Sequence, residues 1–266
     1  MKVLIIGYGN MGKTYANSFI SSRFIKPKDI YALVRNEMFS LSDSLIPKEN
    51  FTAIPTEAIG EFDIVILAVK PQDFNLLAQN IRDYLKDSQI IFSVMAGITL
   101  VTLEKQLNCT KIVRSMPNIP TQIGMGMTVF TASASVDRKE LFIIQNLINT
   151  TGKSVYVENE KLIDAATAIS GSGPAYVFYF MQSMIQAAVD LGFNESEAEL
   201  LVNQTFMGSV AIQNSYSLSN LEWISKVASK GGTTESALQV FENGNLKQTI
   251  VDAVKAANNR ALELGS

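Results

Sequence analysis

The first chemistry offered by this chain lies in three glycines and their spacing. Gly7, Tyr8, Gly9, Asn10, Met11 and Gly12 form a G-x-G-x-x-G run directly after the apolar stretch Val3, Leu4, Ile5 and Ile6. In that setting the first glycine permits a tight turn, and the second lets backbone N–H groups reach a pyrophosphate. The third lets the following helix pack on the strand and aim its positive N-terminus at the anion. A dinucleotide is the implied ligand. The second expected strand ends in Leu33, Val34, Arg35 and Asn36, with Glu37 close behind. A site for a ribose 2′-hydroxyl would be expected to place a carboxylate at that end. Arg35 can instead grip a 2′-phosphate through paired hydrogen bonds, which points to NADP(H), with NAD(H) allowed as a second cofactor. The contrary reading of Arg35 as a solvated surface charge stays open.

Histidine is absent from all 266 residues. That excludes Ser-His-Asp and Cys-His nucleophilic machinery, histidine-liganded zinc and a histidine general acid. No metal site is expected. The single cysteine, Cys109, has no imidazole to activate it, cannot form an internal disulfide, and reads as a buried spectator. Ala68, Val69, Lys70 and Pro71 close the third expected strand, and Ser93 to Ala96 and Gly97 close the fourth. In an open α/β sheet such carboxyl ends line the ligand crevice. Lys70 is there either a cofactor contact or a solvated end-of-strand charge. Ile169, Ser170, Gly171, Ser172, Gly173 and Pro174 run into Ala175, Tyr176, Val177 and Phe178. Glycines in such a run belong where another backbone or a ligand comes too near for a Cβ, and Pro174 presets a helix start.

Together these segments resemble the pyrroline-5-carboxylate reductases. The resemblance rests on the fingerprint, on Ala68-Val69-Lys70-Pro71, on Arg114-Ser115-Met116-Pro117-Asn118-Ile119-Pro120, on the run 169–178 and on Val227-Ala228-Ser229-Lys230-Gly231-Gly232-Thr233-Thr234. It continues to Ala253-Val254-Lys255-Ala256-Ala257 and so covers essentially the whole chain in order. It implies an NADPH-dependent reductase that makes L-proline by hydride transfer to a cyclic imine, and it adds Asn118 to the cofactor contacts. It also implies that Ser229, Gly231, Gly232, Thr233 and Thr234 bind the substrate carboxylate at a helix N-terminus. Glycine N–H donors, threonine hydroxyls and a helix dipole suit an anion. Thr234, whose hydroxyl both donates and accepts, is the candidate catalytic contact to the ring nitrogen. Glu160 matches an acidic position of the family, and is read equally as a substrate contact or as a charge near a helix N-terminus.

Three departures stand against the family pattern: Lys230 for a proline, Ile119 for a threonine, and Pro55 near the place of an asparagine. They keep a rival open, a non-catalytic cofactor-binding regulatory paralogue on the same fold. A different imine or oxo-acid reductase would be expected to alter the loop 229–234.

The positioning elements follow from periodicity. Apolar runs at 3–6, 29–34, 63–69, 89–94, 111–114 and 127–130 read as strands, alternating with helices at 13–22, 74–85 and 99–107, which implies a doubly wound parallel sheet. After 155–157 the strand signals end, and 162–169, 175–191, 195–216, 218–227, 234–242 and 246–264 carry helical spacing. The expected fold is α/β: a Rossmann-type domain over residues 1–158, followed by an all-helical domain over 159–266. By resemblance, that helical domain binds substrate and interlocks with a second copy. The net charge of −3 offers no basic footprint for nucleic acid. With no membrane-length apolar segment and no export signal, the chain is expected to be cytoplasmic.

Overall fold

Four apolar residues in a row, Val3–Ile6, form β1, and all four are buried. A strand without a polar face must be covered on both sides, as happens in a parallel sheet with helices on each face. The computed structural model describes residues 1–35 and 44–264, so that Asn36 and Glu37 lie outside the described residues. It places β1 in an eight-stranded sheet with β2 (Ile30–Leu33), β3 (Phe51–Thr52), β4 (Ile64–Leu67), β5 (Ile90–Ser93), β6 (Ile112–Met116), β7 (Gly126–Ala132) and β8 (Gly152–Tyr156). The order is β3-β2-β1-β4-β5-β6-β7-β8. The strand order reverses between β1 and β4, which is where ligands bind in sheets of this kind.

Alternation along β1 feeds two cores. Val3 and Ile5 pack with Tyr15 and Phe19 of α1 (Asn10–Ser21) and with Ile144 and Leu147 of α4 (Arg138–Asn149). Leu4 and Ile6 face the other way, onto Phe74 and Ile81 of α2 (Phe74–Ile81) and Leu103 and Leu107 of α3 (Leu100–Leu107).

Two of the departures from the sequence expectation shape the sheet and its cover. The sheet is mostly parallel rather than wholly so, because β7 runs antiparallel to β6. The connection 117–125 is too short for a crossover, and an antiparallel return needs none. The second is α4 itself, which the sequence reading did not contain. Its start is marked by a capping box, with the Glu140 N–H donating to Asp137 Oδ1 (2.8 Å) and the Asp137 N–H to Glu140 Oε2 (3.0 Å).

The described chain divides into two compact units, Met1–Ser172 with the chain from Ala257 onward, and Gly173–Ala256. The first unit runs past Glu158 to Ser172. The reason is α5 (Lys161–Ala166), which Arg114 of β6 holds to the sheet through Asp164 and the preceding Glu160. After α5, residues Thr167–Gly171 form a turn of π-helix, with the Ser172 N–H donating to the Thr167 carbonyl (2.8 Å). A Cβ on Gly171 would meet only the movable end of the Met116 side chain, with Cε at 2.7 Å, and one on Gly173 would meet nothing within 4 Å, so no backbone makes the close approach that the run suggested.

The second unit holds α6 (Gly173–Asp190), α7 (Glu195–Ser215), α8 (Asn220–Val227), α9 (Thr233–Asn243) and the start of α10 (Leu246–Leu264). Asn194 caps α7, accepting from the Glu197 N–H. No residue of α6 is buried within the chain, although it carries Val177, Phe178, Tyr179 and Met184. Among the described residues, no helix is long and apolar enough to cross a membrane.

Candidate functional site

The fingerprint turn is set by steric need. Gly7 has φ +94°, and its N–H donates to the Leu33 carbonyl (3.0 Å). A Cβ there would sit 2.7 Å from the carbonyl oxygen of Ala68 at the end of β4, so only glycine lets the ends of β1 and β4 close up. A Cβ on Gly12 would run into the Gly7 carbonyl, whereas one on Gly9 would meet nothing within 4 Å. The space beside Gly9 is open, and Gly9 is the N-cap of α1 with no side chain to satisfy the first-turn N–H groups. No acidic residue occupies that turn. An uncapped helix start facing open space fits a pyrophosphate.

The other fingerprint side chains are placed variously. Tyr8 is turned into the core, edge-on to Phe51 and hydrogen-bonded to Ser44 Oγ (2.9 Å), and burial raises its phenol pKa. It has only its backbone to offer a cofactor. Met11 packs against the same core, while Asn10 lines an open groove with Lys13 and Thr14.

Gly7, Arg35 and Val69 line one cavity of about 260 Å³, together with Leu33, Val34, Pro55 and Asp73. One of the three family departures, Pro55, therefore sits in its wall. Arg35 Nη2 lies 2.7 Å from Asp73 Oδ1. Lys70 is exposed and precedes the short turn Pro71–Asp73 that leads into α2. Ala96 and Gly97 follow β5, with Gly97 at φ +76°, and Thr99 then caps α3 through the Thr102 N–H (3.2 Å). Asn118 fixes the link to β7: its Oδ1 accepts from the Met127 N–H (2.8 Å) and its carbonyl from Thr121 Oγ1 (2.8 Å). Ile119 opens a short helical turn beside it and is exposed.

Glu160 is engaged within the first unit. Its Oε1 accepts from Arg114 Nη1 (2.8 Å) and from the Leu100 N–H at the start of α3 (2.8 Å). Arg114 Nη2 donates to Asp164 Oδ1 (2.6 Å), and the side chain of Arg114 is 1% exposed. This triad around a buried arginine was missed by the sequence reading, although a lone cation inside the buried strand β6 was the available signal. Asp73 was also missed, and nothing local marked it. Cys109 is buried, and burial, followed by the charge of Asp87, pushes its thiol up to about 11, which suits a spectator. No cluster of metal-ligating side chains occurs among the described residues.

In the second unit, Ser229 to Thr234 form a tight loop running into α9. Gly231 has φ +75°, and the Gly232 N–H donates to the Ser229 carbonyl (3.0 Å). The Gly231 N–H donates to Glu235 Oε2 (2.6 Å), so one donor of the loop already holds a carboxylate. Gly232 is the N-cap of α9 and lends it no side chain, which leaves the N–H groups of Thr233 and Thr234 without intrahelical acceptors. Thr234 is half-buried, and Ser229, Lys230 and Thr233 are exposed.

A pyrroline-5-carboxylate reductase from Aquifex aeolicus is 32% identical to this chain over 99% of it and 97% of the relative. The chain belongs to the pyrroline-5-carboxylate reductase family. A second family member, pyrroline-5-carboxylate reductase 2 of Bacillus subtilis, is 31% identical over 99% of this chain and 95% of its own. Residues 160–264 match the family model for pyrroline-5-carboxylate reductase dimerisation, and residues 2–97 the model for NADP oxidoreductase, coenzyme F420-dependent. Among solved structures, the pyrroline carboxylate reductase of Plasmodium falciparum with NADP bound has a TM-score of 0.90 at 29% identity, covering 100% of this chain and 98% of that one. The reductase from Coxiella burnetii gives 0.90 at 31%, with the same coverage. A prephenate dehydrogenase from A. aeolicus, at 17% identity and a TM-score of 0.52, shares the fold alone.

Proposed function

We propose that this chain reduces 1-pyrroline-5-carboxylate to L-proline, with NADPH preferred over NADH. The match over 99% of the chain to reductases of this substrate carries the reading. The uncapped start of α1 beside the open face of Gly9 supports the cofactor half of it.

The protonated C=N of a pyrroline is already electrophilic, so a chain without histidine is not at a disadvantage. When bound, NADPH supplies a hydride to C5, and the C=N electron pair goes to the nitrogen, which becomes the amine of proline. What remains for the protein is orientation and exclusion of water. The first-turn N–H groups of α1 hold the pyrophosphate, and Arg35 takes the 2′-phosphate. The N–H groups of Thr233 and Thr234, with the Ser229 hydroxyl, hold the substrate carboxylate, and the Thr234 hydroxyl bonds the ring nitrogen. Glu160, tied to Arg114 and Leu100, serves the scaffold in this scheme rather than the substrate.

Oxidation of NADPH followed at 340 nm with pyrroline-5-carboxylate is the direct test. Absence of turnover while NADPH still binds would sink the reductase reading. Replacing Arg35 with Ala should lower the ratio of NADPH to NADH efficiency by about tenfold, the scale of one charge-assisted phosphate contact. An unchanged ratio would remove Arg35 from this role.

Self-association is expected through the helical unit, since residues 160–264 match a dimerisation model and α6 leaves Val177, Phe178, Tyr179 and Met184 exposed within the chain. Light scattering should give the mass of a dimer or a multiple of one. A monomeric mass at micromolar concentration would contradict this. The cytoplasm is the proposed compartment, which the free, buried Cys109 fits.

A further inference from the structure

We propose that Asp73 sets how sharply this chain separates a 2′-phosphate from a 2′-hydroxyl, by holding a negative charge against Arg35 in the wall of the same cavity. The proposal rests on the cofactor reading above and adds a residue to it. Asp73 occupies the position immediately before α2, where a carboxylate ordinarily accepts from the first-turn N–H groups. Here it makes no such bond. Instead its Oδ1 reaches Arg35 Nη2 at 2.7 Å. The side chain of Asp73 is 29% exposed and that of Arg35 is 79% exposed, so the carboxylate is the more fixed of the two. Both line the cavity that Gly7, Val34, Pro55 and Val69 complete.

Two consequences follow for an adenosine ribose in that cavity. A 2′-phosphate must share the guanidinium with a carboxylate that repels it. A 2′-hydroxyl can donate to that same carboxylate, as it does to the acid at the end of the second strand in NAD-specific sites. In this chain the end of β2 carries Arg35 in place of that acid, and the connection from β4 to α2 supplies a carboxylate to the same cavity. The pair would therefore lower the NADPH preference that Arg35 alone would confer, and keep NADH usable.

The test is direct binding to the full-length protein, independent of turnover. Titrations of NADPH and NADH followed by fluorescence, and of adenosine 2′,5′-bisphosphate followed by calorimetry, would compare wild type with Asp73→Asn and Asp73→Ala. Both variants should bind NADPH and the bisphosphate more tightly, by about tenfold for one unit charge removed at a solvent-screened site, and NADH more weakly. Adding Arg35→Ala should abolish the gain. Looser binding of all three ligands would overturn the proposal and make Asp73 a support for the arginine, and unchanged affinities would overturn it as well. Wild type that binds the nucleotides while the variants keep its selectivity removes this proposal alone. Wild type that binds none of them removes the cofactor reading with it.

Discussion

Replacing Thr234 with Val is expected to lower kcat/KM for pyrroline-5-carboxylate by about ten- to a hundredfold, at about 1.4 kcal/mol per factor of ten. Valine keeps the branched shape at the start of α9 and removes only the hydroxyl. The effect therefore isolates the proposed bond to the ring nitrogen from the packing around it. Because that bond strengthens as the nitrogen gains its electron pair, the loss should fall mainly on kcat. Thr234→Ser, which keeps the hydroxyl, should retain most of the activity. Ser229→Ala, by contrast, should mainly raise KM. Wild-type kinetics in Thr234→Val would place the contact to nitrogen elsewhere, since the N–H groups of the α9 start survive the change.

The largest loss of stability is expected at a residue outside the proposed chemistry. Arg114→Met removes a fully buried cation from between Glu160 and Asp164. Its loss leaves two half-buried carboxylates without their cation, at a cost of roughly 3 kcal/mol, the low end of the range for buried pairs. For a chain of this size the melting temperature should fall by roughly 6–12 °C. Adding Glu160→Gln and Asp164→Asn to Arg114→Met should recover part of the loss, because three neutral groups repel less than two unpaired carboxylates. A melting temperature close to wild type in the single variant would show that the triad is bypassed by solvent. The same change should loosen the joint between α3 and α5, since Glu160 also accepts from the Leu100 N–H. Hydrogen exchange at Leu100 would report that directly.

The sequence by itself determined the parts whose cause is local. Glycine spacing behind an apolar strand is a statement about one turn, so Gly7, Gly9 and Gly12 were legible, and the steric contacts of Gly7 and Gly12 supply the reason. The absence of histidine narrowed the chemistry before any fold was known. The strands 3–6 and 64–67 could be read as unbroken apolar runs, which burial on both faces demands, and the helical second half from α6 onward as apolar residues at helical spacing. The loop 229–234 was found through resemblance and agrees with a helix start free of side-chain caps.

Tertiary structure decided whatever depends on strand order. Arg114 and Asp164 are 50 residues apart and meet only because α5 returns to lie against β6 and β7. That return, not the end of the last strand, sets the limit of the first compact unit at Ser172. Asp73 reaches Arg35 because β2 and β4 flank β1, so that the turn after β4 comes up beside the end of β2. The antiparallel course of β7 follows from the short connection that precedes it, and α4, which begins at the Asp137 capping box, completes one face of the sheet. A side chain's own neighbours in sequence report its backbone and its face. Its partners across a sheet are chosen by the order in which strands are laid down, and that order is not written in any local run of residues.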